Sequence, residues 1–322
     1  MTQKIGLEVA NGYIKVVSDD SEAVYPNRLK MLTGSEFSLT GTIGTVYEFN
    51  NKKYILDEKG DSSGGRSADR YLSDDYLLET LVAISQVIKE RNVALTIGVP
   101  CRDFEIKDLK IKIANHLKGR HVLYVSNNLG EEKEEYVINI EDVYVVVEPL
   151  GTLCEFVFND KLQIVNNRDN FSYVIIDIGY STTDILATNG LRIDKIFGDD
   201  IGCMDISNDY VRAINKLQGD NGYSFTLDDI TLENKAIINK YGEKFDFTDT
   251  LNEIKTGFVR RLETSIKKSG INKNNYDRII YTGGGALALK DQIKLGHNEV
   301  IYNDAQLANA RGFWKFTLIK KG

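Results

Sequence analysis

Three carboxylates stand at the ends of apolar runs. Glu8 lies in IGLEVANGYIK (Ile5 to Lys15), Asp177 in VIIDIGYSTTDIL (Val174 to Leu186) and Glu148 in VYVVVEPLGTL (Val143 to Leu153). A buried carboxylate is costly unless it is paired, hydrogen-bonded or bound to a metal. In two cases the following residues suggest the partner. Ala10, Asn11 and Gly12 form a small-residue turn before a returning strand, and Gly179, Tyr180, Ser181 and Thr182 repeat that design. Backbone N–H groups in such turns converge on phosphate oxygens. The two acids would hold a magnesium ion, mostly through water, because that ion keeps much of its hydration. Glu148, with Pro149 as the first residue of a helix, sits where ligands collect in α/β sheets, outside the carboxyl ends of strands. A carboxylate there can orient or deprotonate an attacking water in phosphoryl transfer. Plainer accounts exist: Asn-Gly is a common turn, Asp-Ile-Gly can merely end a strand, and Glu148 can serve a helix dipole. Asp184 is expected to face solvent or to cap its strand.

Two further glycine-rich turns compete for phosphate. GDSSGGRS (Gly60 to Ser67) nearly matches a P-loop but carries Arg66 in place of lysine, and the next helix starts only at Ser73. A P-loop needs the helix directly after its glycines, so the segment is expected to be a flexible loop instead. TGGGALA (Thr282 to Ala288) satisfies G-x-G-x-x-A, with Asp304 downstream for a ribose. Too little chain follows for a dinucleotide fold, yet a ligand can lie against glycines that lack Cβ.

The elements that must position these residues follow from periodicity. Short β-like runs before Asp57 suggest a mixed sheet opened by hairpins, and the stretch Asp57 to Arg70 reads as an exposed polar loop. Ser73 is a helix N-cap with Asp74 and Asp75 in the first turn, and Leu77 to Ile88 carry helical spacing. LTIGVP, a periodic segment Ile106 to Leu117, then VLYV, YVINI and VYVVV, predict an α/β layer with a largely parallel sheet. The pattern restarts at Tyr173: strand, hairpin, a helix around Met204 to Leu217, a polar helical insert from about Thr226 to Ser269, the strand Arg278 to Tyr281, and a last helix from about Ala305.

With 322 residues the chain suits two lobes. A net charge of -7 argues against a broad nucleic-acid or anionic-membrane surface. Cys101, Cys154 and Cys203 are far apart, and His116, His121 and His297 form no cluster, so neither zinc nor a histidine triad has support. No apolar run approaches a membrane span, and MTQKIGLEVANG lacks the halves of a signal peptide, so a cytoplasmic location is expected.

The ordered set resembles the actin-like ATPase superfamily, which includes sugar kinases and heat-shock chaperone ATPases. EVANGYIK looks like its first phosphate motif, EPLGTL its first connecting motif, IDIGYSTTDI its second phosphate motif, YTGGGA its adenosine motif and ANARGF its second connecting motif. TIGVP, EPLGTL, the short length and the single ANARGF helix are most similar to bacterial ParM-type plasmid segregation actins. The resemblance implies an α/β actin-like two-lobed fold: duplicated ribonuclease-H-like domains with inserted subdomains, and nucleotide in the central cleft. Domain I would span 1–160 with an insert at about 30–75, the last helix (about 305–320) packing back on it. Domain II would span 161–304 with an insert at about 203–270.

Carried over residue by residue, the resemblance implies that Ala10, Asn11, Gly12 and Tyr13 contact the phosphates from one lobe, and Gly179, Tyr180, Ser181 and Thr182 from the other. Lys15 reaches a phosphate, Glu8 and Asp177 face the metal, Asp177 also organises the water, and Glu148 positions it. Gly202 and Lys235 approach ribose and base, with Gly283, Gly284 and Gly285 beside the adenosine. The family usually has Asp at the position of Glu8 and Gly at that of Ala10, so metal geometry and hydrolysis rate are where departure is expected.

The implied function is an ATP-binding and hydrolysing filament protein (GTP is possible), with Mg2+ as cofactor. It would polymerise head to tail and segregate plasmid DNA through a DNA-binding adaptor at a plasmid centromere. No direct nucleic-acid contact and no membrane are expected. Heterologous contacts of this kind give open filaments. The alternatives are a small-molecule kinase of the same superfamily, which would need a base aimed at a substrate hydroxyl, or another bacterial actin-like cytoskeletal filament.

Overall fold

The computed structural model describes residues 1–33, 44–57, 67–165, 171–230 and 234–322. It divides into two compact units, Met1–Asn166 with Leu307–Gly322, and Asn167–Gln306.

The first unit opens with β1 (Thr2–Val9), β2 (Tyr13–Ser18), β3 (Glu22–Pro26), β4 (Leu29–Met31), β5 (Val46–Phe49) and β6 (Lys52–Leu56). Next come α1 (Asp74–Ser85), β7 (Asn92–Val99), α2 (Cys101–Phe104), α3 (Leu109–Leu117), β8 (Gly119–Ser126), β9 (Glu134–Val147) and α4 (Glu148–Val157). The strands form one sheet in the order β3-β2-β1-β7-β9-β8-β5-β6-β4. Only β1 with β7 and β7 with β9 run parallel and the other pairs are antiparallel, so the sheet is mixed, as the early hairpin runs suggest; of the later strands expected to be largely parallel, β8 pairs antiparallel. The cause is local. Neighbours joined by short turns must run antiparallel, whereas a parallel pair needs a long crossover such as α1. YVINI and VYVVV are one strand: Val93 faces Ile140 and Ala94 faces Asp142, so Glu141 is accommodated as a bulge.

Alternation along β1 sends Ile5, Leu7 and Val9 into a core shared with Leu78, Leu81 and Val82 of α1. Gly6 and Glu8 therefore share the other face. Ser73 caps α1 as its spacing predicts, its hydroxyl accepting from the Tyr76 N–H at 3.2 Å.

The second unit contains β10 (Ser172–Ile178), β11 (Thr183–Asn189), β12 (Arg192–Asp199), α5 (Cys203–Gln218), α6 (Leu227–Ile230), β13 (Ile237–Lys240), β14 (Glu243–Asp246), α7 (Thr248–Lys268), β15 (Arg278–Thr282), α8 (Gly283–Ala288) and β16 (Glu299–Ile301). The main sheet runs β12-β11-β10-β15-β16, with β10, β15 and β16 parallel. The insert is not purely helical as expected. β13 and β14 form a hairpin across Tyr241 and Gly242, both at positive φ (56° and 81°), the geometry of a type I′ turn. Tyr-Gly is a weaker turn signal than Asn-Gly, which explains why periodicity overlooks it. Val174, Ile176 and Ile178 face a core with Tyr210, Phe258 and Leu262, leaving Asp177 on the opposite face of β10.

The last helix, α9 (Ala308–Lys321), belongs to the first unit and packs on α4 and β1. No helix among the described residues is long and apolar enough to cross a membrane.

Candidate functional site

The two hairpins are built alike. In the first, Val9 pairs with Ile14 and the four-residue loop Ala10 to Tyr13 is closed by the Ala10 N–H donating to the Tyr13 carbonyl at 3.2 Å. In the second, Ile178 pairs with Thr183 and the loop Gly179 to Thr182 is closed by the Gly179 N–H donating to the Thr182 carbonyl at 2.9 Å. Neither Asn11 nor Gly12 adopts positive φ, so Asn-Gly is not used here as a two-residue turn.

Both loops have carbonyl oxygens tied back into their own unit. The Asn27 side chain donates to the Ala10 carbonyl at 2.9 Å and its backbone N–H to the Gly12 carbonyl at 3.0 Å. In the second loop the first N–H groups of α5 do this work, Cys203 donating to Gly179 at 3.1 Å and Met204 to Tyr180 at 2.8 Å. Carbonyl oxygens would repel an anion, so their engagement favours turns that meet one through N–H groups. Gly202 fits this packing, since a Cβ there would lie 2.5 Å from the Tyr180 carbonyl oxygen.

Each acid lies two residues before its loop, and the residue opposite it differs. Glu8 faces Lys15 across the β1–β2 ladder, and the Lys15 ammonium donates to the Glu8 carboxylate at 2.7 Å with both side chains buried. Lys15 and Glu8 are thus bound to one another. The extra methylene of Glu8 spans the ladder to that ammonium. Asp177 instead faces Asp184. Asp184 does not face solvent, one of the two roles expected of it: it is 1% exposed and accepts at 2.8 Å from the hydroxyl of Thr182, the residue just before its strand. Both aspartates are buried on one face of the ladder, an arrangement in which like charges destabilise each other unless a cation or donors offset them.

The three glycines of α8 have different surroundings. A Cβ on Gly283 (φ +81°) would meet the Asp177 Oδ1 at 2.4 Å, and one on Gly285 the Ile178 side chain at 2.3 Å. A Cβ on Gly284 meets nothing within 4 Å. Gly283 and Gly285 therefore pack on the end of β10, while Gly284 faces open space. Lys235 stands apart from this group. It is exposed in the segment leading to β13, its N–H donates to the Ile230 carbonyl at 2.9 Å, and its carbonyl accepts from the Tyr210 hydroxyl at 3.1 Å, two turns down α5 from Gly202.

In the first unit Glu148 begins α4 at the end of β9, with Pro149 in the first turn. Gly98 of β7 makes room for it, since a Cβ at 98 would lie 2.9 Å from the Glu148 Cγ and 2.4 Å from the Phe313 ring. The buried Tyr71 hydroxyl, donating to Asp103 at 3.2 Å, lies within the influence of Glu148: burial raises its pKa most, and the Glu148 charge adds to the rise. Burial also pushes the Cys203 thiol up to about 12, which leaves it an unreactive packing group beside Gly285.

Two residues without a motif complete the first loop, Asn27 and Arg70. The Asp57 to Arg70 stretch reads as an exposed loop, but residues 67–72 are ordered: Ser67 caps a 3-10 turn, Ala68–Leu72. Residues 60–66 of GDSSGGRS lie outside the described residues. The Arg70 guanidinium is largely buried, pairs with Glu79 at 3.3 Å, and donates to the Asn11 side-chain oxygen and, at 3.2 Å, to the Val9 carbonyl. No periodicity or spacing marks a lone Arg or Asn whose partners are main-chain carbonyls.

Among the described residues no group of three His, Cys, Asp or Glu side chains is arranged to hold a metal. A magnesium ion needs fewer protein ligands, since it is bound through one or two carboxylates and its own waters. The Asp177–Asp184 pair provides hard oxygen donors of the right kind.

Comparison with known proteins places this geometry in context. A model of the N-terminal domain of actin-like proteins matches residues 6–151, and a model of the C-terminal domain of an archaeal MreB-like actin homologue matches 175–295. No curated protein matches the sequence. Among solved structures, a 15-stranded ParM filament from Clostridium botulinum is 19% identical with a TM-score of 0.81, covering 99% of each chain. The archaeal actin homologue Ta0583 in complex with ADP is 19% identical with a TM-score of 0.76, over 99% of this chain and 100% of that one. The apo psk41 ParM protein is 19% identical with a TM-score of 0.70, over 99% and 98%. With two actin-type domain models in their proper order and an actin-like fold in both units, the chain belongs to the actin-like family.

Proposed function

We propose that this chain is a nucleotide-dependent, polymerising actin-like protein that binds ATP with Mg2+, hydrolyses it, and forms filaments that segregate plasmid DNA through a DNA-binding adaptor. The observation that carries the proposal is the shared construction of the two hairpins. Each places an acid two residues before a four-residue loop whose carbonyls are tied back. The N–H groups of each loop would meet phosphate oxygens of a nucleotide, and in the second unit Gly284 would stand beside the adenosine. Magnesium, held by Asp177 with Asp184 behind it, would supply charge neutralisation for the phosphates. Glu148 would hold the attacking water and accept its proton. Lys15, its charge balanced by Glu8, would set the first loop rather than bind phosphate alone. The ParM filament and the ADP complex among the similar folds support self-association and nucleotide binding.

The test is direct. Purified chain should sediment and scatter light after addition of ATP with magnesium, then disassemble as phosphate is released. No assembly at any concentration with ATP or GTP, or transfer of phosphate to a small hydroxylated acceptor, would overturn the proposal.

A further inference from the structure

We propose that Arg70 is a positioning residue that sets how the first loop presents itself to phosphate, an assignment that rests on the nucleotide-binding function proposed above. Its guanidinium is a planar fork of five donors, and three acceptors converge on it: the Asn11 Oδ1 on Nη1, and the Val9 carbonyl (3.2 Å) and Glu79 carboxylate (3.3 Å) on Nη2. The fork is held over two rings, 5.7 Å from the Tyr71 centroid and 5.5 Å from that of Tyr76. Glu79 is 3% exposed and balances the positive charge at short range. What Arg70 adds to the loop is therefore geometry more than potential.

The geometric effect has two parts. Together Arg70 and Asn27 take the carbonyls of Val9, Ala10 and Gly12, three oxygens that would otherwise repel a phosphate. Arg70 also takes the acceptor end of the Asn11 amide, which turns the donor end the other way. An amide side chain is nearly symmetric in shape but opposite in polarity at its two ends, so an external donor must decide which end an anion meets. Lysine cannot substitute, because a point charge with rotating donors does not hold a side-chain oxygen and a backbone carbonyl in one plane.

The test is a double-mutant cycle on ATP affinity, measured calorimetrically with magnesium on the full chain below the assembly concentration. Arg70→Lys and Asn11→Ala should each weaken binding about tenfold, and the double variant no more than about twofold beyond Asn11→Ala, because the two act as one unit. Asn11→Asp keeps an acceptor for the guanidinium but loses the amide donor. Its melting temperature without nucleotide should be equal to or above that of the unmodified chain, while ATP binding falls about a hundredfold. Binding by Arg70→Lys within twofold of the unmodified chain, multiplicative losses in the double variant, or a lowered melting temperature for Asn11→Asp overturns the assignment. The last holds even if Arg70→Lys does not fold. If the unmodified chain binds neither ATP nor GTP, the proposed function falls and this assignment with it; if it binds and the cycle is additive, only the assignment falls.

Discussion

Glu148→Gln is expected to leave a chain that folds and assembles with ATP but releases phosphate about a hundredfold more slowly, the lower end of what a positioned acid–base group contributes. The side chain stands at the first turn of α4, on the end of β9, in a space that Gly98 leaves open. Glutamine has the same shape and length, so the packing against Phe313 and Gly98 survives. The lost charge at a helix N-terminus costs only about 0.3–1 kcal/mol. What changes is chemistry: an amide does not accept the proton of an attacking water. Phosphate release and light scattering, followed on one sample, separate the two effects. Assembly that persists while phosphate release slows about a hundredfold is the expected signature, and an unchanged release rate would remove Glu148 from the mechanism.

The positions of the acids were legible because strand ends announce themselves. An apolar β-branched run stops at a carboxylate followed by small residues, and the structure ends β1 at Val9 and β10 at Ile178 and begins α4 at Glu148. What hid from the sequence was the partner of each acid. Glu8 and Lys15 are seven residues apart, a spacing that means nothing until register places them opposite each other. Asp184 looked like a solvent acid because its strand reads as a returning arm, yet both faces of β11 are covered, so alternation carried no information there. Arg70 and Asn27 bond to main-chain carbonyls, and any residue type supplies a carbonyl, so no sequence pattern records the contact. The direction of β8 is hidden for a related reason: it pairs on one side with β9 and on the other with β5, a strand much earlier in the chain, and no local pattern announces that pairing.

The glycines of α4 and α9 carry the largest expected effect on stability. A Cβ on Gly312 would lie 1.7 Å from the Gly151 carbonyl oxygen and 2.4 Å from its carbon, and a Cβ on Gly151 would lie 2.5 Å from the Asn309 carbonyl oxygen. The two helices therefore cross with their backbones in contact, and backbone atoms cannot swing aside as a side chain does. The crossing is fastened by Asn309, whose side-chain oxygen accepts from the Thr152 N–H at 3.1 Å and from its hydroxyl at 2.8 Å. On its other side α9 lies against β1 at Gly6, where a Cβ would meet the Ala310 oxygen at 2.1 Å. Gly312→Ala cannot be relieved by moving α9 away from α4 without breaking the Thr152–Asn309 bonds and driving the helix into β1. A loss of about 3 kcal/mol or more is expected, from overpacking together with severed buried hydrogen bonds. For a unit of this size that is a drop of roughly 6–12 °C in melting temperature. Gly257→Ala, in α7 with nothing within 4 Å of its Cβ, should instead stabilise by about 0.5–1 kcal/mol through helix propensity alone. Thermal denaturation of the two variants beside the unmodified chain decides the matter: opposite shifts are expected, and a Gly312→Ala melting temperature within about 2 °C of the original would mean that the helices have room to part. Because α4 starts with Glu148, the same displacement should also slow phosphate release at temperatures where the variant is still folded.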